Sequence, residues 1–184
     1  MATGQSHRAR RVLPQPARDH IEGPADAPLA LVEYGDYECP HCGRAYWIVK
    51  DVQSQLGRRL CFAFRHFPLA QIHPNATRAA EAAEAAGAQG RFWPMHDLLF
   101  QNQAALGDTD LVRYAKLLEL DLPRFVAELA EHAHAERVRE DFTTGVRSGV
   151  NGTPTFFVNG LRHDGMWDAD SLIEALVATA RASA

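Results

Sequence analysis

The chain has 184 residues, with 19 Lys and Arg against 23 Asp and Glu for a formal charge of −4, 46% hydrophobic and 23% charged residues, and three cysteines. That length supports one compact domain with a sizeable core and leaves no room for two. The mildly acidic balance excludes an electrostatic nucleic-acid binder, three cysteines cannot staple a chain this long, and no apolar run reaches the length of a membrane span, the alanine-rich stretch at 79–88 being broken by Glu81 and Glu84.

Residues 1–20 read as a flexible arm, polar and punctuated by Pro14 and Pro16, with Arg8, Arg10, Arg11 and Arg18 but no apolar segment behind them. No secretory or twin-arginine signal is expected, so the chain as written is expected in the cytoplasm, or in a periplasmic or other extracytoplasmic space where a leader has been removed. Residues 21–184 form the single domain. Leu29 to Tyr34 is an apolar run of strand length with one carboxylate, Glu33, inside it. Cys39-Pro40-His41-Cys42 follows, and Ala45, Ile48, Val49, Val52 and Leu56 then recur at helical spacing. A second strand spans residues 60–67 after the helix-breaking Gly57.

From about 74 to 147 the pattern is helical, with segments expected at 75–89, 91–103, 109–118, 122–131 and 133–147. A strand returns at Thr155 to Val158, Asn159-Gly160 signals a hairpin to a strand at 161–163, and Asp168 or Asp170 caps a last helix carrying Leu172, Ile173, Leu176 and Val177 on its buried face.

The chemistry concentrates at Cys39 and Cys42. A thiol at a helix N-terminus faces free amides and the positive end of the helix dipole, both of which favour thiolate. Cys39 is thus the attacking nucleophile, Pro40 suits the first helical position, a protonated His41 would add a cation beside the sulfur, and Cys42, one turn in, is the resolving thiol. The competing use of a C-x-x-C pair is half of a zinc site, with nitrogens drawn from His41, His66, His73 or His96. A carboxyl inside a strand is costly unless paired or used. Glu33 therefore either moves a proton for Cys42 through a water, or sits at a sheet edge paired with a lysine such as Lys50. Thr153-Pro154, before an apolar strand, marks either a plain strand start or a cis peptide whose preceding backbone is open to a substrate peptide.

Taken together, Gly23-Pro24-Ala-Asp-Ala-Pro28, the Glu33–Cys42 segment with its Cys-Pro-His-Cys tetrapeptide, and Gly149–Gly160 with its Gly-Thr-Pro-Thr resemble the DsbA family of thiol:disulfide oxidoreductases. The resemblance runs from about Ile21 to the C-terminus. It implies an α/β thioredoxin fold with a helical insertion between its two halves, Cys39 as nucleophile, Cys42 as its partner, Glu33 as buried acid and Thr153-Pro154 as a cis-proline loop that binds substrate. Similar domains also occur fused behind sodium/proton antiporters.

The expected function is disulfide exchange with protein thiol or disulfide substrates by a monomer that uses no cofactor and no metal and is recycled by a separate redox partner. The direction, oxidase, reductase or isomerase, is open. Rival readings are a redox-sensing module that binds peptides or a partner without catalysis, and a structural zinc protein. Cys61, on a buried strand, is expected to pack as a small hydrophobe. Phe92-Trp93 with Met95, near His96, reads as core, or as one or two residues lining a groove beside the active site that holds unfolded substrate. His132 and His134 read as solvated helix residues, and the charges from Glu128 to Glu140 as a surface helix.

Overall fold

A computed structural model describes residues 11–182. Five strands form one sheet in the order β1 (His20–Glu22), β3 (Leu60–His66), β2 (Leu29–Gly35), β4 (Thr155–Val158) and β5 (Leu161–His163). Strands β2 and β3 run parallel, and the other neighbouring pairs are antiparallel. A parallel pair needs a crossover. It is supplied by α1 (Pro40–Leu56), after which a single 3-10 turn leads into β3.

Helix α1 buries Cys42, Ala45, Tyr46, Val49, Val52 and Leu56, a stripe at helical spacing. It stops at Gly57, whose φ of 51° lies in the left-handed region that a glycine adopts without steric cost. Helices α2 (Ala76–Gly87), α3 (Phe92–Gln101), α4 (Asp108–Leu117), α5 (Leu122–Ala130) and α6 (Ala135–Arg147) fill the interval between β3 and β4. The alanines of α2 are buried on every side, and their small side chains let neighbouring helices approach closely. Helix α7 (Ala169–Arg181) begins at Asp168, whose carboxylate accepts the Ser171 amide.

Side chains alternate across a strand, so β2 feeds two cores. Leu29 and Leu31 join Phe62, Phe64, Phe156 and the buried faces of α1 and α7. Val32 and Tyr34 join Ala63, Phe67 and Phe157 on the opposite face, against Phe142 of α6. With both faces covered, a charged residue on β2 has nowhere to reach water.

The N-terminal segment departs from the expected arm. Residues 1–10 lie outside the described residues, but 11–20 are engaged: the Val12 amide donates to the Gly160 carbonyl, and Arg65 binds both Asp19 and the Leu13 carbonyl. Arg18 reaches Asp141 of α6 at 2.6 Å. Isolated arginines and prolines gave no periodic signal, because their partners lie more than forty residues away in sequence. The short edge strand β1 was missed for the same reason.

Candidate active site

Cys39 is the N-cap residue of α1, with extended backbone (φ −71°, ψ 122°), and Pro40 occupies the first turn, where its missing N–H costs nothing. Both thiols are free and approach to 3.9 Å. The Cys39 sulfur donates to the Thr153 carbonyl at 3.5 Å, and the Thr153–Pro154 peptide is cis. The strand-start segment and the cysteine pair, 114 residues apart in sequence, therefore meet.

The two thiols have opposite electrostatics. Cys39 is lowered from 9.0 to about 5, first by its hydrogen bond with Cys42 and then, against the opposing effect of burial, by the Thr153 side chain and the backbone of Cys42 and His41. The Thr153 hydroxyl is buried without any other partner and is available to a thiolate. Cys42 is pushed well above its ordinary value, first by burial, then by its bond to Cys39 and the charge of Glu33, although the Asp36 amide donates to its sulfur at 3.4 Å. His41 contributes through its backbone. Its side chain is exposed, as is Pro40.

Glu33 lies on the central strand between Phe64 of β3 and Phe156 of β4 and is 2% exposed. Its Oε1 has no hydrogen-bond partner. Burial, and secondarily the nearby Cys39 charge, push the carboxyl from 4.5 up to about 8. The sheet-edge alternative fails: Lys50 pairs with Glu22 at 3.4 Å and Asp97 at 3.0 Å, not with Glu33.

Sequence reading overlooked the support around the pair. The buried Asp36 carboxylate accepts the Glu38 and Leu69 amides and His73 Nδ1, each at 2.8 Å. Tyr37 bonds His96 across 3.1 Å, and the Glu38 carboxylate accepts the amide and side-chain amide of Asn75. Gln103 donates to the carbonyls of Tyr37 and Cys39. Each of residues 36–39 is thus held by a side chain or backbone group from residues 69–103. Only the unusual density of polar residues in Asp36-Tyr37-Glu38 could have hinted at this.

Other candidates separate from the site. His66, Glu84 and Asp141 come close enough to form a group of potential metal ligands, but it contains no cysteine. Its carboxylates are already matched by Arg18 and Arg137 at 2.6 Å from Asp141 and by His66 and His20 at 2.9 and 3.0 Å from Glu84. Two guanidinium groups in this cluster oppose a divalent cation. His96 is buried in an aromatic group with Phe64, Phe92, Trp93 and Phe100. His132 and His134 are not helix residues; they sit in the turn between α5 and α6 and pair with Glu81 and Glu128. The Glu128–Glu140 stretch likewise spans two helices and a turn, and Arg137 within it pairs inward with Asp141. Cys61 is 2% exposed on β3. A cavity of about 460 Å³ lined by Arg11, Arg18, Tyr34, Arg65 and Arg147 includes neither thiol of the pair.

A family model described as thioredoxin matches residues 16–178. The Na(+)/H(+) antiporter NhaA 1 of Salinispora arenicola is 49% identical over 161 residues, covering 88% of this chain and 24% of the antiporter, so the chain spans about a quarter of that relative's length. Among solved structures, oxidised BdbD from Bacillus subtilis superposes with a TM-score of 0.80 at 24% identity, covering 94% of this chain and 98% of BdbD. Alpha-DsbA1 of Wolbachia pipientis gives 0.76 at 20% identity, covering 94% and 96%. Among the described residues no helix is long and apolar enough to cross a membrane. The chain belongs to the thioredoxin family, in the DsbA-like form in which helices interrupt the fold between its two halves.

Proposed function

We propose that the chain exchanges disulfides with protein substrates through Cys39 and Cys42, with Glu33 moving the proton and Thr153-Pro154 offering backbone to an extended substrate segment. The observation that carries this reading is the asymmetry of the pair: one thiol is held as thiolate at neutral pH and its neighbour is held protonated. A thiolate attacks a disulfide sulfur; a thiol does not.

In the reducing direction, the Cys39 thiolate attacks a substrate disulfide and forms a mixed disulfide. One substrate sulfur leaves as thiolate and takes a proton. Cys42 then gives up its proton by way of the Glu33 carboxyl and attacks the Cys39 sulfur, and the second substrate sulfur leaves as thiolate and takes up the proton, leaving a Cys39–Cys42 disulfide. Two electrons have moved from the pair to the substrate. The oxidising direction is the same sequence reversed. Stabilising the Cys39 thiolate favours the dithiol form, so the disulfide form is a good acceptor of electrons from reduced proteins. A separate thiol or disulfide partner restores the starting state, and the catalyst works as a monomer.

Replacing Cys39 with Ser tests the proposal: catalysed oxidation of a reduced, unfolded test protein should vanish, and retained catalysis would overturn it. The antiporter relatives favour a second reading, a redox-sensing domain acting on an attached or bound transport protein. Under that reading Cys39→Ser leaves binding intact and removes only its dependence on redox state.

A further inference from the structure

We infer that Gln103 is a positioning residue for Cys39: its side-chain amide fixes the backbone of the nucleophile from the turn after α3, and position 43 carries no side chain so that this amide can lie there. The inference rests on the reading of Cys39 as the nucleophile and adds a residue outside the tetrapeptide to it.

The geometry is specific. The single Nε2 of Gln103 donates to the Tyr37 carbonyl and to the Cys39 carbonyl, each at 2.8 Å. An amide NH₂ has two protons, and this arrangement uses both. The Cys39 carbonyl is also the acceptor of the first α1 hydrogen bond, from the Gly43 amide at 3.0 Å. Gln103 therefore anchors the carbonyl from which the first helical turn hangs. That turn carries the Cys42 and His41 backbone groups that favour a thiolate on Cys39. Loss of the anchor lets the turn fray, and a helix terminus loses its electrostatic effect within one turn.

Gly43 supplies the second observation. Its φ lies outside the left-handed region, so the backbone conformation does not require glycine, and glycine weakens a helix relative to alanine. The space requires it only while the Gln103 amide keeps its place. A Cβ at 43 would lie 2.0 Å from the Gln103 Oε1 and 2.7 Å from its Cδ. Residue 43 and residue 103 thus form one device, with a small residue in the helix admitting an amide from the insertion.

The test titrates the Cys39 thiolate by its ultraviolet absorbance in the reduced full chain, for the original protein, Gln103→Ala, Gly43→Ala and the double variant, each with a thermal melt. Gln103→Ala should raise the Cys39 pKa by about one unit. Gly43→Ala should raise it equally by expelling the amide, with folding unchanged or improved because alanine suits a helix. The double variant should move no further than either single one, since both remove the same contact. An unchanged pKa in both single variants, beside an original protein that titrates near 5, would overturn the inference and leave the nucleophile reading standing. So would additive shifts. An original protein that titrates near 9 would remove the nucleophile reading, and this inference with it. If Gln103→Ala does not fold, Gly43→Ala decides alone.

Discussion

Replacing Glu33 with Gln perturbs a carboxyl that is 2% exposed and has an oxygen without a hydrogen-bond partner. Its pKa rises from 4.5 to about 8, chiefly through burial and secondarily through the Cys39 charge. Because the folded value lies above the ordinary one, folding retains a proton that the unfolded chain releases between these pH values. The carboxyl's contribution is intact below pH 4.5 and is lost as pH rises to 8. At about 1.4 kcal/mol per pH unit the whole interval amounts to about 5 kcal/mol, of which about 2 to 3 kcal/mol falls between about pH 5 and 7. Glutamine does not titrate, so its own burial cost is the same at every pH. Urea unfolding of both reduced proteins across this range should show Glu33→Gln gaining on the original by that amount. In the disulfide form the Cys39 charge is gone, and the gain should shrink without disappearing, because burial is the larger cause. Stability curves that run parallel from about pH 5 to 8 would refute the reasoning, since no carboxyl with a raised pKa could then be present.

Two further predictions follow from the same electrostatics. With Cys39 lowered to about 5 and Cys42 and Cys61 both raised by burial, alkylation near pH 6 should modify Cys39 alone, at a rate that rises tenfold per unit up to about pH 5 and then levels off; a rate still rising between about pH 7 and 9 argues against a stabilised thiolate. Glu84→Gln has the opposite sign to Glu33→Gln: His20 and His66 hold the Glu84 carboxyl well below the ordinary range despite its burial, so removing the charge should cost about 3 to 5 kcal/mol at neutral pH, measured by denaturant unfolding, and the gap should narrow in strong acid; a loss below about 1 kcal/mol would show that the cluster contributes little.

Much of the site was legible in the sequence because its logic is local. Cys39, Pro40 and Cys42 take their positions from where a helix begins, and the apolar spacing behind them announces that helix. Glu33 stood out because a carboxylate inside an apolar strand lacks solvent by construction, although the sequence could not say whether Lys50 reached it. The helices between β3 and β4 fell close to their expected bounds, since alanine content, glycine breaks and caps are also local signals. The supports of the site are of another kind. Asp36, Tyr37 and Glu38 form a polar loop, and nothing in their spacing reveals that their partners across the fold are Leu69, His73, Asn75, His96 and Gln103.

The sequence by itself therefore determined the order of the elements, the position of a thiol at a helix N-terminus and the presence of a carboxyl buried in an apolar strand. These follow from periodicity, capping and the cost of charge in an apolar run. Only the tertiary structure decided which partners each group has: that Lys50 leaves Glu33 unpaired, that Thr153 lies beside Cys39, that residues 11–20 strap the sheet to α6, and that an amide from the insertion holds the Cys39 carbonyl. Hydrogen bonds and ion pairs act over a few ångströms, and the chain distance between such partners carries no record of them until the fold has closed it.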